Sequence, residues 1–105
     1  DGKFPLSNYG KGVDISAPGT NLVVADIEDS KLNEYSMVSG TSAAAALVSG
    51  GAALIKNYHR DWSNKKIIDA ILQNTSAFKN PLNGMGAGRL NITKALDIQM
   101  YQNNK

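Results

Sequence analysis

The chain has 105 residues, of which 42% are hydrophobic and 19% charged, and its formal net charge is +2. That length suits one small domain burying roughly two thirds of the surface its unfolded form exposes, and the balance excludes a disordered or fibrous chain. Lys65-Lys66 is the only adjacent basic pair, so no stripe exists to track a phosphate backbone and no nucleic-acid partner is expected, while the absence of cysteine excludes disulfides, thiol catalysis and cysteine zinc sites.

Asp1-Gly2-Lys3-Phe4-Pro5 lacks the basic-then-apolar order of a signal peptide and reads as the middle of a longer sequence. Residues 1–12 place Gly2, Pro5, Gly10 and Gly12 among polar neighbours, which is loop chemistry. Val13-Asp14-Ile15-Ser16-Ala17 then alternates apolar and polar residues until Pro18-Gly19 stops it, which predicts a short strand. Leu22-Val23-Val24-Ala25 predicts a second strand, followed by an acidic loop through Asp26, Glu28 and Asp29, and residues 34–38 predict a third. A sheet edge or hairpin thus lies ahead of a long apolar run.

From Thr41 to about Tyr58 nearly every residue is Ala, Leu, Val, Ile or Gly. A helix apolar on all sides belongs inside a larger core, and the longest apolar run, broken by Ser49, Gly50 and Gly51, is too short to span a bilayer. Each of those two glycines costs about 1 kcal/mol against alanine, so a packing reason is expected for both. Lys56, Asn57, His59 and Arg60 suit the carboxyl end. Ser63 reads as the N-cap of a second helix with Ile67, Ile68, Ile71 and Leu72 at amphipathic spacing, ending near Asn74-Thr75. The glycine-rich turn Asn83-Gly84-Met85-Gly86-Ala87-Gly88 precedes a last helix from about Asn91, with Ile92, Ala95, Leu96 and Ile98 apolar, and the polar tail of residues 102–105 is expected to fray.

Ser42 stands where an irregular segment becomes the long helix. A serine hydroxyl is a poor nucleophile at neutral pH and needs a base and a pocket of donors for the oxyanion it generates. A helix amino terminus supplies unpaired N–H groups and the positive dipole end. On the residues alone, Gly40-Thr41-Ser42 before an alanine-rich helix is most often plain capping.

Four segments carry a resemblance. Gly40-Thr41-Ser42-Ala43-Ala44-Ala45-Ala46-Leu47-Val48-Ser49-Gly50 resembles the nucleophile motif of the subtilisin-like serine proteases. Leu6-Ser7-Asn8-Tyr9-Gly10 and Val13-Asp14-Ile15-Ser16-Ala17-Pro18-Gly19 resemble that family's Ser-Asn-x-Gly and Val-Asp-x-x-Ala-Pro-Gly elements, and Gly86-Ala87-Gly88-Arg89-Leu90-Asn91 with Ala95-Leu96 is similar to its closing pattern. The segments fall in the family's order over nearly the whole chain.

The resemblance implies that Ser42 is the acyl-forming nucleophile, that its backbone N–H is one oxyanion donor and that Thr41 supports that pocket. In subtilisin the triad runs Asp, His, Ser along the chain, so the Asp and His regions are expected upstream of this serine and outside residues 1–105. The implied fold is α/β: residues 1–105 as the C-terminal fragment of a three-layer domain with a mainly parallel sheet. The implied function is that of the nucleophile-bearing part of a secreted or cell-envelope endopeptidase, inactive alone and dependent on the upstream portion of the same domain, with a peptide or protein as substrate. No cofactor is expected in this chain, though calcium is possible in the parent protein. A rival reading is a non-catalytic, pseudoprotease-like interaction module that binds a partner through the apolar surface. Both readings predict self-association of the isolated chain.

The remaining candidates read as structural. His59, the only histidine, lies about 25 Å from Ser42 along a continuous helix at 1.5 Å per residue, cannot be its base, and reads as a surface imidazole at a helix end. Asp14 reads as structural, and Asp26, Glu28 and Asp29 as a solvated loop with an outside claim on calcium. Ala46 and Leu47 depart from the family's proline and its usual polar successor; alanine restores a backbone N–H, so the helix should be regular there. Ser39 replaces an asparagine common in the family and, with Val38, should border the leaving-group side of the cleft. Met37, Tyr58 and Trp62 read as packing residues, and Asn74-Thr75-Ser76 and Asn91-Ile92-Thr93 match the glycosylation triplet.

Overall fold

A computed structural model of the chain describes residues 2–26, 34–80 and 82–96. Among them are two strands, β1 (Leu22–Asp26) and β2 (Glu34–Val38), and three helices, α1 (Thr41–Tyr58), α2 (Asn64–Gln73) and α3 (Ile92–Leu96). The helices and small sheet have the make-up of an α/β piece of a larger layered domain. None of these helices is long and apolar enough to cross a membrane.

β1 and β2 pair antiparallel with Leu22 opposite Val38 and Val24 opposite Ser36. Because side chains alternate across a strand, Val23, Tyr35 and Met37 share the outer face, where they are 67%, 70% and 64% exposed. Met37, expected to pack, therefore faces outward opposite Val23. The expected strand over residues 13–17 is reduced to Ser16, which bridges Arg89 in parallel, and Arg89 bridges Ser76 in turn. Ser16 N–H donates to the Gly88 carbonyl at 2.9 Å and the Ser16 carbonyl accepts from Leu90 N–H at 2.7 Å. Pairing along alternate residues of one edge is all that the closing segment provides. The far edge of residues 13–17 finds no ladder partner among the described residues.

α1 is unbroken from Thr41 to Tyr58, as the alanine at position 46 leads one to expect. Only Gly51 and Ile55 are buried along it. They meet α2 and α3 in a small core of Ile55, Ile67, Ile71 and Ala95, against which Ile15, Ala52, Trp62, Leu90 and Leu96 pack. Burying a branched side chain of this size contributes about 1.5–3 kcal/mol. The packing reason expected for the glycine pair holds for Gly51 alone: a Cβ there would run into the Ile92 side chain, whereas one on Gly50 would meet nothing within 4 Å. Ser42, Ala46, Ser49 and Ala53 form a solvent-facing stripe of small residues, flanked by exposed Leu47, Leu54 and Tyr58.

Local chemistry sets the other helix ends. Ser63 caps α2 by accepting from Lys66 N–H at 3.1 Å, and the Asn91 side-chain oxygen caps α3 by accepting from Lys94 N–H at 2.9 Å. His59 ends α1 and is not the surface group expected of it. It is half-buried, its ring stacks on Trp62 at 3.7 Å with a 2° interplanar angle, and its Nε2–H donates to the Leu96 carbonyl. Lys66 lies over the other aromatic of that stack, 4.9 Å from the Trp62 ring centroid. The polar tail and Ile98 lie outside the described residues.

Candidate active site

The approach to Ser42 is built by two hydrogen-bond clasps, one between backbones and one onto a serine side chain. Gly40 N–H donates to the Gly19 carbonyl at 2.7 Å, and Asn21 N–H donates to Ser39 Oγ at 2.9 Å. Gly40 is the N-cap of α1 with φ 149° and ψ 156°, a backbone that a side chain would strain, and it makes no side-chain cap. Plain capping by Thr41 or Ser42 is therefore not what the structure holds; both residues sit inside the first helical turn. The first backbone bond of the helix runs from Ala44 N–H to the Gly40 carbonyl at 3.3 Å. The N–H groups of Thr41, Ser42 and Ala43 accordingly have no backbone acceptor among the described residues.

Ser42 is exposed and its hydroxyl makes no hydrogen bond among the described residues. A Cβ on Gly40 would stand 3.5 Å from Ser42 Oγ, so the glycine also leaves one side of the hydroxyl bare. Thr41 is exposed beside it. Together these give an accessible hydroxyl next to three unclaimed N–H donors at the positive end of an 18-residue helix. Such an end favours negative charge developing on a substrate oxygen.

The structure does not bring the other candidates to this point. His59 closes the opposite end of α1 and is committed to Trp62 and Leu96. Asp14 is exposed and contributes through its carbonyl, which accepts from Ala87 N–H at 2.8 Å. Glu28 and Asp29 lie outside the described residues, and among the described residues no three His, Asp or Glu side chains are gathered as a metal would need. The two glycosylation triplets present asparagines already engaged: Asn74 Nδ2 donates to the Ala70 carbonyl at 2.7 Å and Asn91 Nδ2 to Ser76 Oγ at 2.8 Å.

A cavity of about 690 Å³, open to solvent, is bordered by Thr41, Ala44 and Val48 on α1, by Phe4 in the first loop, and by Phe78 and Met85. Ser42 does not line it. This cavity and the nucleophile candidate thus lie on different sides of the first turn, and the free hydroxyl and free donors are on the Ser42 side. Sequence reasoning missed the Gly19–Gly40 and Asn21–Ser39 clasps. The turn chemistry of Pro18-Gly19-Thr20-Asn21 signalled a bend, but nothing local named the partner eighteen or more residues away.

Residues 3–88 match the profile of the subtilase family, peptidase S8. The chain is 37% identical to the subtilisin-like protease SBT4.3 of Arabidopsis thaliana over 80% of its own length and 14% of that protein's. It is 32% identical to the extracellular basic protease of Dichelobacter nodosus over 98% of this chain and 18% of the relative. With subtilisin BL of Lederbergia lenta the identity is 39% over 86% of this chain and 32% of the relative. The fold is similar to that of a chain in the subtilase cytotoxin SubAB assembly, with a TM-score of 0.70 and 25% identity, covering 91% of this chain and 28% of the other. The chain spans less than a third of the length of each of these proteins.

Proposed function

The chain belongs to the subtilase family, and from that membership we propose that it carries the nucleophilic segment of a secreted subtilisin-like serine endopeptidase. Ser42 Oγ attacks the scissile carbonyl of a peptide or protein substrate to give an acyl-enzyme, and Ser42 N–H, in a pocket supported by Thr41, donates to the oxyanion. The observation that carries this reading is the exposed Ser42 hydroxyl, without a partner among the described residues, beside unclaimed N–H groups at the start of α1. Ser42 stands inside the first turn, with Gly40 as the N-cap, so its hydroxyl is not spent on capping and stays available.

The proton acceptor comes from elsewhere. The sole histidine caps the far end of the same helix, about 25 Å away at 1.5 Å per residue. Residues 1–105 alone are therefore inactive in this proposal, and hydrolysis requires the Asp- and His-bearing upstream portion of the domain docked against them. The bare stripe from Ser42 to Ala53 supports this reading, because small side chains let another backbone approach α1 closely.

The test is labelling of Ser42 by a fluorophosphonate probe, applied to the chain alone and then to a mixture with the upstream portion, with Ser42→Ala as control. Labelling confined to the mixture is expected. Labelling or amide hydrolysis by highly purified residues 1–105 would overturn the dependence on a partner. A demonstrated complex that never labels would replace the protease with a pseudoprotease-like interaction module, a reading in keeping with Ala46 and Leu47 standing where the family has other residues.

A further inference from the structure

We infer that Asn83 is a site of spontaneous deamidation, and that its conversion to isoaspartate unfastens the first loop from the glycine-rich turn. Asn83 is the only asparagine in the sequence followed by glycine; each of the others precedes a residue whose side chain hinders attack by the following nitrogen, or proline, which lacks the N–H. It is exposed, lies in a turn, and its amide makes no hydrogen bond among the described residues. Gly84 N–H has no acceptor among the described residues either. The reacting pair is thus unencumbered on both sides, whereas the side-chain amides of Asn74 and Asn91 are held by Ala70 and Ser76.

The chemistry needs only water. Gly84 N, losing its proton to solvent base, attacks Asn83 Cγ; the N–Cγ bond forms, the Cγ–Nδ2 bond breaks, and the amide leaves as ammonia. Water then opens the resulting succinimide at either carbonyl. Opening at the main-chain carbon leaves the chain running through the side-chain carbonyl as isoaspartate, one methylene longer, and opening at Cγ gives aspartate. The balance is one water gained and one ammonia lost, with no change in oxidation state.

The consequence lies in the contacts that Gly84 makes. Its carbonyl accepts from Gly10 N–H at 2.8 Å, and its φ of 70° brings it so close that a Cβ would come within 2.6 Å of Gly10 N. An extra methylene immediately before so tight a contact displaces one partner. Both flanking segments border the large cavity, through Phe4 and Ser7 on one side and Leu82 and Met85 on the other. The first loop therefore loosens at the cavity rim, while the core of Ile55, Ile67, Ile71 and Ala95 is untouched.

The test ages the full protein at mildly alkaline pH, folded and in urea, and maps peptides by mass after incubation in heavy-oxygen water. Asn83 is expected to convert first, at a folded-state rate within a few-fold of the urea rate, with isoaspartate the larger product. Hydrogen exchange at Gly10 N–H is expected to accelerate at least several-fold in aged protein and to stay slow in Asn83→Gln aged alongside. Folded protein that keeps Asn83 intact through many urea half-lives would overturn the site, and aged protein whose Gly10 protection equals that of fresh protein would overturn the consequence.

Discussion

The two ends of α1 both carry alanine and leucine and live in opposite surroundings. Toward Tyr58, Gly51 and Ile55 are enclosed by α2, α3 and Leu90, and His59 locks the end to Leu96. Toward Thr41, two hydrogen-bond clasps set the entry and the Ser42 face is bare. An alanine-rich helix is equally content in both settings because its hydrogen bonds are internal. One end thus serves stability and the other is free for chemistry. This division makes mutations separable: changes at the core end should read out in unfolding, and changes at the serine end in reactivity.

The largest expected effect breaks the comparison at the serine end. On the proposed reading, with the upstream portion docked, Ser42→Ala should lower kcat on the order of a millionfold, the loss that removing a triad serine brings. Its thermal unfolding should shift by no more than about 0.5 kcal/mol, because the side chain is exposed. A large loss of stability in calorimetry would mean that the hydroxyl holds the fold rather than serving the reaction. At the other end, Ile55→Ala should cost about 2–5 kcal/mol in denaturant unfolding, since it empties a site that is 0% exposed. Probe labelling per folded, complemented molecule should stay unchanged.

The glycine pair sharpens the contrast between two adjacent positions of one helix. Gly51→Ala must push Ile92 aside and should destabilise by about 1–3 kcal/mol, whereas Gly50→Ala in residues 1–105 should gain up to about 1 kcal/mol of helix propensity. If Gly50→Ala instead destabilises once the upstream portion is added, the bare face is the docked one. The smallest effect belongs to the exposed Lys65–Asp69 pair, 2.8 Å apart, in which the hydrogen bond and charge of Asp69 raise the Lys65 ammonium above its ordinary value. Any contribution it makes is present below the ordinary lysine value and is lost as pH rises through the raised one. Lys65→Ala should leave the melting temperature at neutral pH unresolved from that of the parent, since exposed pairs are screened by solvent.

Legibility in the sequence followed the range of the interaction. α1, β2 and the Ser63 cap were readable because a run of small apolar residues, a strand-forming pentapeptide and a serine ahead of an amphipathic repeat each act within a few residues. The fold family was readable because four motifs kept their order. The features that escaped were decided by distant partners. Gly40 rather than Thr41 or Ser42 caps α1 because Gly19, twenty-one residues away, fixes it in a conformation that favours glycine. His59 is half-buried because Leu96, thirty-seven residues on, offers a carbonyl. The strand over residues 13–17 shrank to one bridge because, among the described residues, Arg89 alone pairs with Ser16. That a serine stands at the start of α1 was legible by position, but the openness of its hydroxyl and of its neighbouring N–H groups was not.

The imidazole lying flat on Trp62 has an optical consequence. Trp62 is the chain's sole tryptophan, so all indole emission originates at the junction of the three helices. Its colour and lifetime will follow the parting of that stack and ignore whatever happens at the serine, giving the molecule a built-in lamp for one end only.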